Sequence, residues 1–263
     1  MKMQAQTLCN LDDLAKLLIV DKFIDNVRKI NRELSSEFSL KLKSKNLENL
    51  YVKYIQTGHI EKTLSQLETI ATELNDFYIW NIPYKFWLRN YFKLYLKFFH
   101  PESTVKLETC LRYSKENFKG VKVTAAKNIE ANAVLKNVFG YYKRISIAKK
   151  KLLTAQKLDF SLLTNSRTND ENIFSGSIAF VNHDCHPNVE YITAEKHLVY
   201  LKSLTDIKEG EEILVYYGDN YFEENNKNCE CVTYVLKNNE TSNINLEVSN
   251  MERITNNCEI EIL

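Results

Sequence analysis

Proline and glycine are scarce in this chain, at three and six residues of 263. That scarcity excludes a collagen-like repeat and argues against a loop-dominated or disordered polymer, since both are rich in these residues. Net charge is nearly absent too. The 35 Lys and Arg are offset by 34 Asp and Glu, leaving +1, so overall charge makes no case for a nucleic-acid wrap or a polybasic anchor. Long apolar runs are missing. The richest stretch, Phe77 to Phe99, is broken by Asn81, Pro83, Lys85, Arg89, Asn90, Lys93 and Lys97, whereas a membrane span needs about twenty apolar residues in a row. The opening Met1-Lys2-Met3-Gln4-Ala5-Gln6 carries no apolar core of the signal-peptide kind. There is no internal repeat and no phosphate-binding glycine loop. A folded, soluble protein is expected, long enough for one catalytic unit or two small domains. Without secretion, the six cysteines are expected as thiols or metal ligands, not disulfides. Cys9, Cys110 and Cys258 stand alone in sequence and are expected as unpaired thiols.

What is present divides near Pro101. From Leu11 to about Leu34, Leu14, Leu17, Leu18, Val20, Phe23, Ile24, Val27 and Ile30 recur at three- and four-residue steps, which predicts one apolar helical face. Asp12 and Asp13 would then suit the positive end of its dipole. A second helix is predicted over 47–56, stopped by Gly58. Ile60, Leu64, Leu67, Ile70, Ala71 and Leu74 define a third, and an aromatic-rich fourth follows Pro83 to about Phe99. Beyond Pro101 the segments Val105–Leu107, Val121–Thr124, Val134–Phe139, Leu198–Leu201 and Ile213–Tyr216 are short and β-prone. Residues 147–158 are Lys-rich and read as a helix or an exposed insertion. The run Lys149-Lys150-Lys151 is read as a solvated face before a DNA contact. From about Lys237 the tail is Asn- and Glu-rich and is expected to fray.

One stretch concentrates the chemistry: Phe180-Val181-Asn182-His183-Asp184-Cys185-His186-Pro187-Asn188. Its lead-in, 177–181, reads as a short buried strand. Pro187 forbids a continuing helix or central ladder, so the polar quartet should sit where the chain bends. Asn182-His183 can serve as a base, a metal ligand or a structural pair. Tyr216-Tyr217-Gly218 places a phenol at a strand end, where the ordinary role is core packing with a satisfied hydroxyl. Cys229-x-Cys231 with Cys185 makes three soft ligands, which suits zinc. A closed structural site needs a fourth, for which Cys258, His186 and His183 are candidates. None of these signals decides a function alone.

Together, Phe-Val-Asn-His-Asp-Cys-His-Pro-Asn, Gly-Glu-Glu-Ile-Leu-Val-Tyr-Tyr-Gly-Asp and Cys-x-Cys resemble the SET-domain protein lysine methyltransferases, in particular the Su(var)4-20 group that methylates lysine 20 of histone H4. The stretches beginning Leu8-Cys9-Asn10-Leu11, Phe99-His100-Pro101-Glu102-Ser103, Arg112-Tyr113-Ser114, Asp159-Phe160-Ser161 and Glu224-Asn225-Asn226 are similar to that group's signatures, in the same order. The resemblance covers residues 8–234. It implies an α+β fold: an N-terminal helical bundle (1–100) packed on a β-rich SET domain of short strands with a knot-like threading (101–228), then a post-SET zinc-binding segment and tail (229–263).

The resemblance also implies roles. S-adenosylmethionine would lie against Asn182 and His183, with Phe23, Tyr113, Ser114, Lys115, Glu116, Val121, Arg167 and Glu230 completing its pocket. Tyr217 matches the catalytic Tyr, and Ser161 a Ser beside the lysine channel. Zinc, one ion, would be held by Cys185, Cys229 and Cys231. Histone H4 or the nucleosome would be the partner and the nucleus the location, with a monomethylated lysine as substrate. Two positions depart from the group. Tyr234 stands where a third post-SET Cys is usual, and Asn228 where an aromatic is common. Retention of Tyr217, Asn182 and His183 favours an enzyme. Tyr234 keeps open a chromatin-binding module without catalysis, and a non-histone lysine is a further alternative.

Overall fold

The computed structural model describes residues 5–24, 47–74, 82–112, 120–156, 161–164, 168, 170–194 and 197–238. They fall into two compact units, one of Met1–Asn182 with Pro187–Val215 and one of His183–His186 with Tyr216–Leu263.

Among the described residues the first unit begins with helices α1 (Ala5–Leu18), α2 (Glu48–Thr57), α3 (Ile60–Leu74) and α4 (Ile82–Leu96). In α3, Leu64, Leu67 and Ala71 are fully buried, as the three- and four-residue spacing requires. Helix α2 stops at Gly58, whose φ of 64° is left-handed and whose N–H donates to Tyr54 O over 2.7 Å. Two phenols tie α2 to the other helices: Tyr51 donates to Leu18 O, and Tyr54 to Leu96 O over 2.8 Å. A short 3-10 turn, Lys97–Phe99, closes α4 ahead of His100-Pro101.

Strands β1 (Val105–Cys110) and β2 (Gly120–Ala125) form an antiparallel pair. The larger sheet contains β3 (Val134–Arg144), β4 (Leu162–Thr164), β5 (Glu171–Gly176), β7 (Val189–Thr193), β8 (Leu198–Ser203) and β9 (Leu214–Val215), after a two-residue strand β6 (Asn182–His183) that straddles the two units. Its neighbours run β4–β5–β3–β8–β7–β9, and β7 with β9 is parallel. Helix α5 (Ile147–Ala155) is capped by Ser146, whose hydroxyl accepts from Lys149 N, and Lys150 pairs with Glu171 at 2.6 Å. Two glycines let β3 and β5 approach: Gly140 faces Gly176, and a Cβ on Gly140 would lie 2.2 Å from Ser175 O.

Several expectations change. The first helix starts six residues earlier than its apolar repeat and ends at Leu18, followed by a 3-10 turn at Val20–Lys22; its expected continuation through 25–34 lies outside the described residues. Asp12 and Asp13 are therefore not dipole-facing surface acids. They sit mid-helix and are fully buried with Lys16. The lead-in 177–181 is not a strand. Gly176, at φ 94°, breaks β5, and Ser177–Phe180 wind into a 3-10 turn pinned by Ser177, whose hydroxyl donates to Phe139 O at 2.9 Å. A four-residue apolar run fits either conformation, so periodicity could not separate them. Strands β4, β5 and β7 were not predicted at all: β4 is only three residues long, Asn172 and Ser175 interrupt β5, and Glu190 interrupts β7.

The centre of this unit is ionic. Lys16 Nζ lies 2.7 Å from Asp12 Oδ2 and 3.8 Å from Asp13 Oδ1, all with no solvent exposure. Asp12 Oδ1 also accepts from Gly176 N at 3.0 Å and from the Tyr95 hydroxyl. Burial alone would push the Lys16 ammonium down; Asp12 and Asp13 outweigh it and hold the group above its ordinary value. Removing one partner strands the other charge. Lys16→Met, which strands both carboxylates, should therefore lower unfolding stability by about 3–5 kcal/mol in chemical denaturation, whereas an Asp12→Leu/Asp13→Leu/Lys16→Met triple variant should lose clearly less.

Candidate active site and metal cluster

In the first unit, Asn182 is held by its side chain. Its amide donates to Val121 O at 2.9 Å and to Glu212 Oε1 at 3.0 Å, and the other Glu212 oxygen pairs with Arg112. Asn188 fastens the same region: its amide donates to Glu212 O and its carbonyl accepts from Leu214 N, each at 2.8 Å. The Asn182 amide is thus oriented by two acceptors, one on β2 and one just ahead of β9. Ser161 is buried, and its hydroxyl has no hydrogen-bond partner among the described residues. Phe23 is half-buried, stacked on Phe99 at 3.8 Å between ring centres and edge-on to Tyr51.

In the second unit, His183 is fully buried among aromatic rings. Its Nδ1 accepts from Tyr217 N at 3.1 Å, and its ring centre lies 5.2–5.4 Å from those of Tyr216, Tyr217 and Phe222. Tyr221 meets Tyr217 edge-on at 4.7 Å. The loop carrying these rings is folded around buried Asn226, whose side chain accepts from Phe222 N at 2.9 Å and donates to Gly218 O at 2.7 Å. Asn225 and Asn226 take left-handed backbone angles, which Asn tolerates better than most residues. Tyr216 donates its hydroxyl to Asp219 at 2.6 Å, and that bond, ahead of burial, pushes the phenol up to about 12.

Beside the ring cluster, ligand atoms of His183, Cys185, Cys229 and Cys231 all lie within 4.8 Å of one another. The Cys185 and Cys229 sulfurs are 4.0 Å apart, and Cys185 Sγ is 3.5 Å from His183 Nε2. Two sulfurs on one tetrahedral zinc would be roughly 3.8 Å apart, given a Zn–S length of about 2.3 Å. The sulfurs are also met by backbone donors: Cys231 Sγ accepts from Cys185 N and Tyr234 N at 3.4 and 3.3 Å, and Cys229 Sγ from Cys231 N at 3.4 Å. N–H groups aimed at sulfur favour the thiolate that binds metal. Burial pushes the Cys185 and Cys229 thiols up. The residues fit zinc. Asp184 braces the bend by accepting from His186 N at 2.8 Å and Thr233 N at 3.4 Å.

Of the residues singled out in sequence, His183, Tyr217, Cys185, Cys229, Cys231 and half-buried Glu230 come together in the second unit, and Val121 and Asn182 touch in the first. Tyr113, Ser114, Lys115, Glu116, Arg167 and Cys258 lie outside the described residues. Tyr234 donates its backbone N–H to Cys231 Sγ and its hydroxyl to Lys227 O at 3.2 Å. Sequence reasoning missed Glu212, Tyr221, Phe222 and the looping role of Asn226. Glu212 was invisible within an acidic turn. The Tyr221-Phe222 pair, four residues past Tyr217, was an available signal.

A SET domain family model matches residues 23–218. Among curated relatives, histone-lysine N-methyltransferase set9 of Neurospora crassa is 31% identical over 69% of this chain and 22% of its own. The set9 enzyme of Schizosaccharomyces pombe is 28% identical over 87% of this chain and 52% of its own. Histone-lysine N-methyltransferase Suv4-20 of Caenorhabditis briggsae is 28% identical over 55% and 44%. The chain thus spans between about a fifth and a half of these relatives' lengths. With the family model covering most of its residues, the chain belongs to the SET domain family.

Proposed function

We propose that this chain is an S-adenosylmethionine-dependent protein lysine methyltransferase acting on histone H4 lysine 20, adding methyl groups to the monomethylated side chain. The observation that carries the reading is Tyr217: its N–H is anchored on buried His183 and its ring lies among Tyr221 and Phe222. The relatives are all histone-lysine N-methyltransferases, which supports the same activity. In this reading residues 1–100 are the N-terminal helical bundle, 101–228 the SET domain with knot-like threading at Asn182, and 229–263 the post-SET segment. The cofactor pocket is assigned to Phe23, Tyr113, Ser114, Lys115, Glu116, Val121, Arg167, Asn182, His183 and Glu230. The partner is the histone H4 tail or nucleosome and the location chromatin. Among the described residues no helix is long and apolar enough to cross a membrane.

The cofactor supplies a methyl group on a cationic sulfur. A lysine, with reference pKa near 10.4, must shed its proton before its nitrogen lone pair attacks that carbon. An apolar aromatic channel disfavours the ammonium, and the neighbouring sulfonium lowers its pKa further, so the proton can leave to water without a dedicated base. What the chain contributes is alignment: amine and methyl carbon held about 3 Å apart and in line. In this reading the Tyr217 hydroxyl would orient the amine and the rings would tolerate a methylated ammonium through cation–π attraction, and Ser161 is assigned beside the lysine by the resemblance.

Nucleosomes carrying unmodified or monomethylated H4 lysine 20, incubated with labelled cofactor and read by mass spectrometry, should take label on that lysine, faster on the monomethylated form. Label absent from H4 would refute the substrate. Tyr217→Phe should cut kcat by about 10²-fold with cofactor affinity unchanged, the usual cost of one preorganised polar group at a reacting centre; an unchanged rate would remove the phenol from the mechanism. One zinc per chain is expected by elemental analysis. Cys231→Ser should lower that stoichiometry, and equal zinc in the variant would unseat the thiol assignment.

A further inference from the structure

Spacing alone offers His183 as the fourth member of the metal cluster, since its Nε2 lies 3.5 Å from Cys185 Sγ. The proton inventory of the ring says otherwise. Tyr217 N–H points at Nδ1 over 3.1 Å. A nitrogen that accepts a hydrogen bond carries no proton, and a neutral imidazole carries one, so the proton resides on Nε2. The nitrogen facing the sulfurs is therefore a donor with no lone pair to give. For Nε2 to ligate a cation the proton would have to move to Nδ1, where it would confront the Tyr217 N–H head-on. Burial prevents relief by water, because His183 has no solvent exposure and rings of Tyr216, Tyr217 and Phe222 surround it.

We propose that His183 is not a metal ligand but a positioning residue, donating Nε2–H to the Cys185 thiolate while Nδ1 holds the backbone of Tyr217. The inference rests on the metal reading of Cys185, Cys229 and Cys231, and it adds a consequence. The cation that sets the Cys185 sulfur sets, through one rigid ring, the backbone position of Tyr217. Only two hydrogen bonds and an imidazole separate them. Tyr217 and the cysteines belong to the same compact unit, so the relay is short and internal to it. A histidine is suited to this post because its two nitrogens lie on opposite flanks of a flat ring, one accepting and one donating.

The test reads protons and metal affinity, not methylation, so it stays informative if the proposed activity is wrong. Full-length protein with nitrogen-15-labelled histidines is loaded with cadmium-113, and its long-range proton–nitrogen spectrum is recorded. The signal missing from a His183→Gln variant identifies the ring. The expected result is the Nε2–H tautomer with no splitting by cadmium. The Nδ1–H tautomer, a resolved cadmium–nitrogen coupling, or failure to take up metal would each overturn the proposal. Zinc affinity by chelator competition gives a second reading. Gln presents an amide donor near the place of Nε2, whereas Asn reaches only that of Nδ1. His183→Gln should thus keep the affinity, and His183→Asn should lose about 10–100-fold, the usual cost of an outer partner of a metal ligand. Equal loss in both variants would make His183 a ligand. If either variant fails to fold, the tautomer of the unsubstituted protein still decides.

Discussion

The first unit depends on the carboxylate of Asp12. A buried charge is tolerated only when its attraction and hydrogen bonds offset the lost hydration, and Asp12 meets that condition with groups from three elements. Lys16 comes from its own helix, the Tyr95 phenol from α4, and the Gly176 N–H from the end of β5. The last contact matters most for the site. Gly176 is where β5 gives way to the 3-10 turn Ser177–Phe180, and Lys16 Nζ lies 5.8 Å from the ring centre of Phe180. Two residues beyond Phe180 stands Asn182. An ion pair in an N-terminal helix therefore helps to place the residue that begins the candidate site, 170 positions later in sequence.

Around Asn182 the same logic continues with partly buried groups. Glu212 receives both the Asn182 amide and the Arg112 guanidinium, and Asn188 ties the Glu212 backbone to the start of β9. Each polar group is anchored by another, which is how a bend lacking regular ladder bonds keeps one conformation. The second unit solves its problem differently. Its described residues are held by a ring cluster around His183, by Asn226 inside its loop, and by sulfurs brought together from 44 residues apart. Among its described residues few apolar side chains are buried, and a bound cation would supply a cross-link in addition to that packing.

Helices α2, α3 and α4 were legible because repeat and stop signals coincide: Gly58 after one, Pro83 ahead of another, three- and four-residue apolar spacing along α3. Helix α1 was legible in kind but not in extent. Its apolar repeat runs on past Leu18 to residues beyond the described ones, and nothing in sequence marks acids at 12 and 13 as interior. The turn at 177–180 was misread since four apolar residues carry no period. Strand β5 escaped because its burial falls on Asn172 and Ser175, which pattern rules score as loop.

For the site the division follows distance along the chain. The order and identity of Asn182, His183, Cys185, Tyr217, Cys229 and Cys231 were determined by the sequence itself, for these are fixed spacings of chemically distinctive residues. That Glu212 receives Asn182, that Asp12 braces Gly176, and that His183 turns Nδ1 to Tyr217 and Nε2 to Cys185 were decided only by the tertiary structure. These are partnerships between atoms far apart in sequence, and a hydrogen bond depends on direction and distance, neither of which a residue's identity contains. The chain names its donors and acceptors. Folding decides which of them meet.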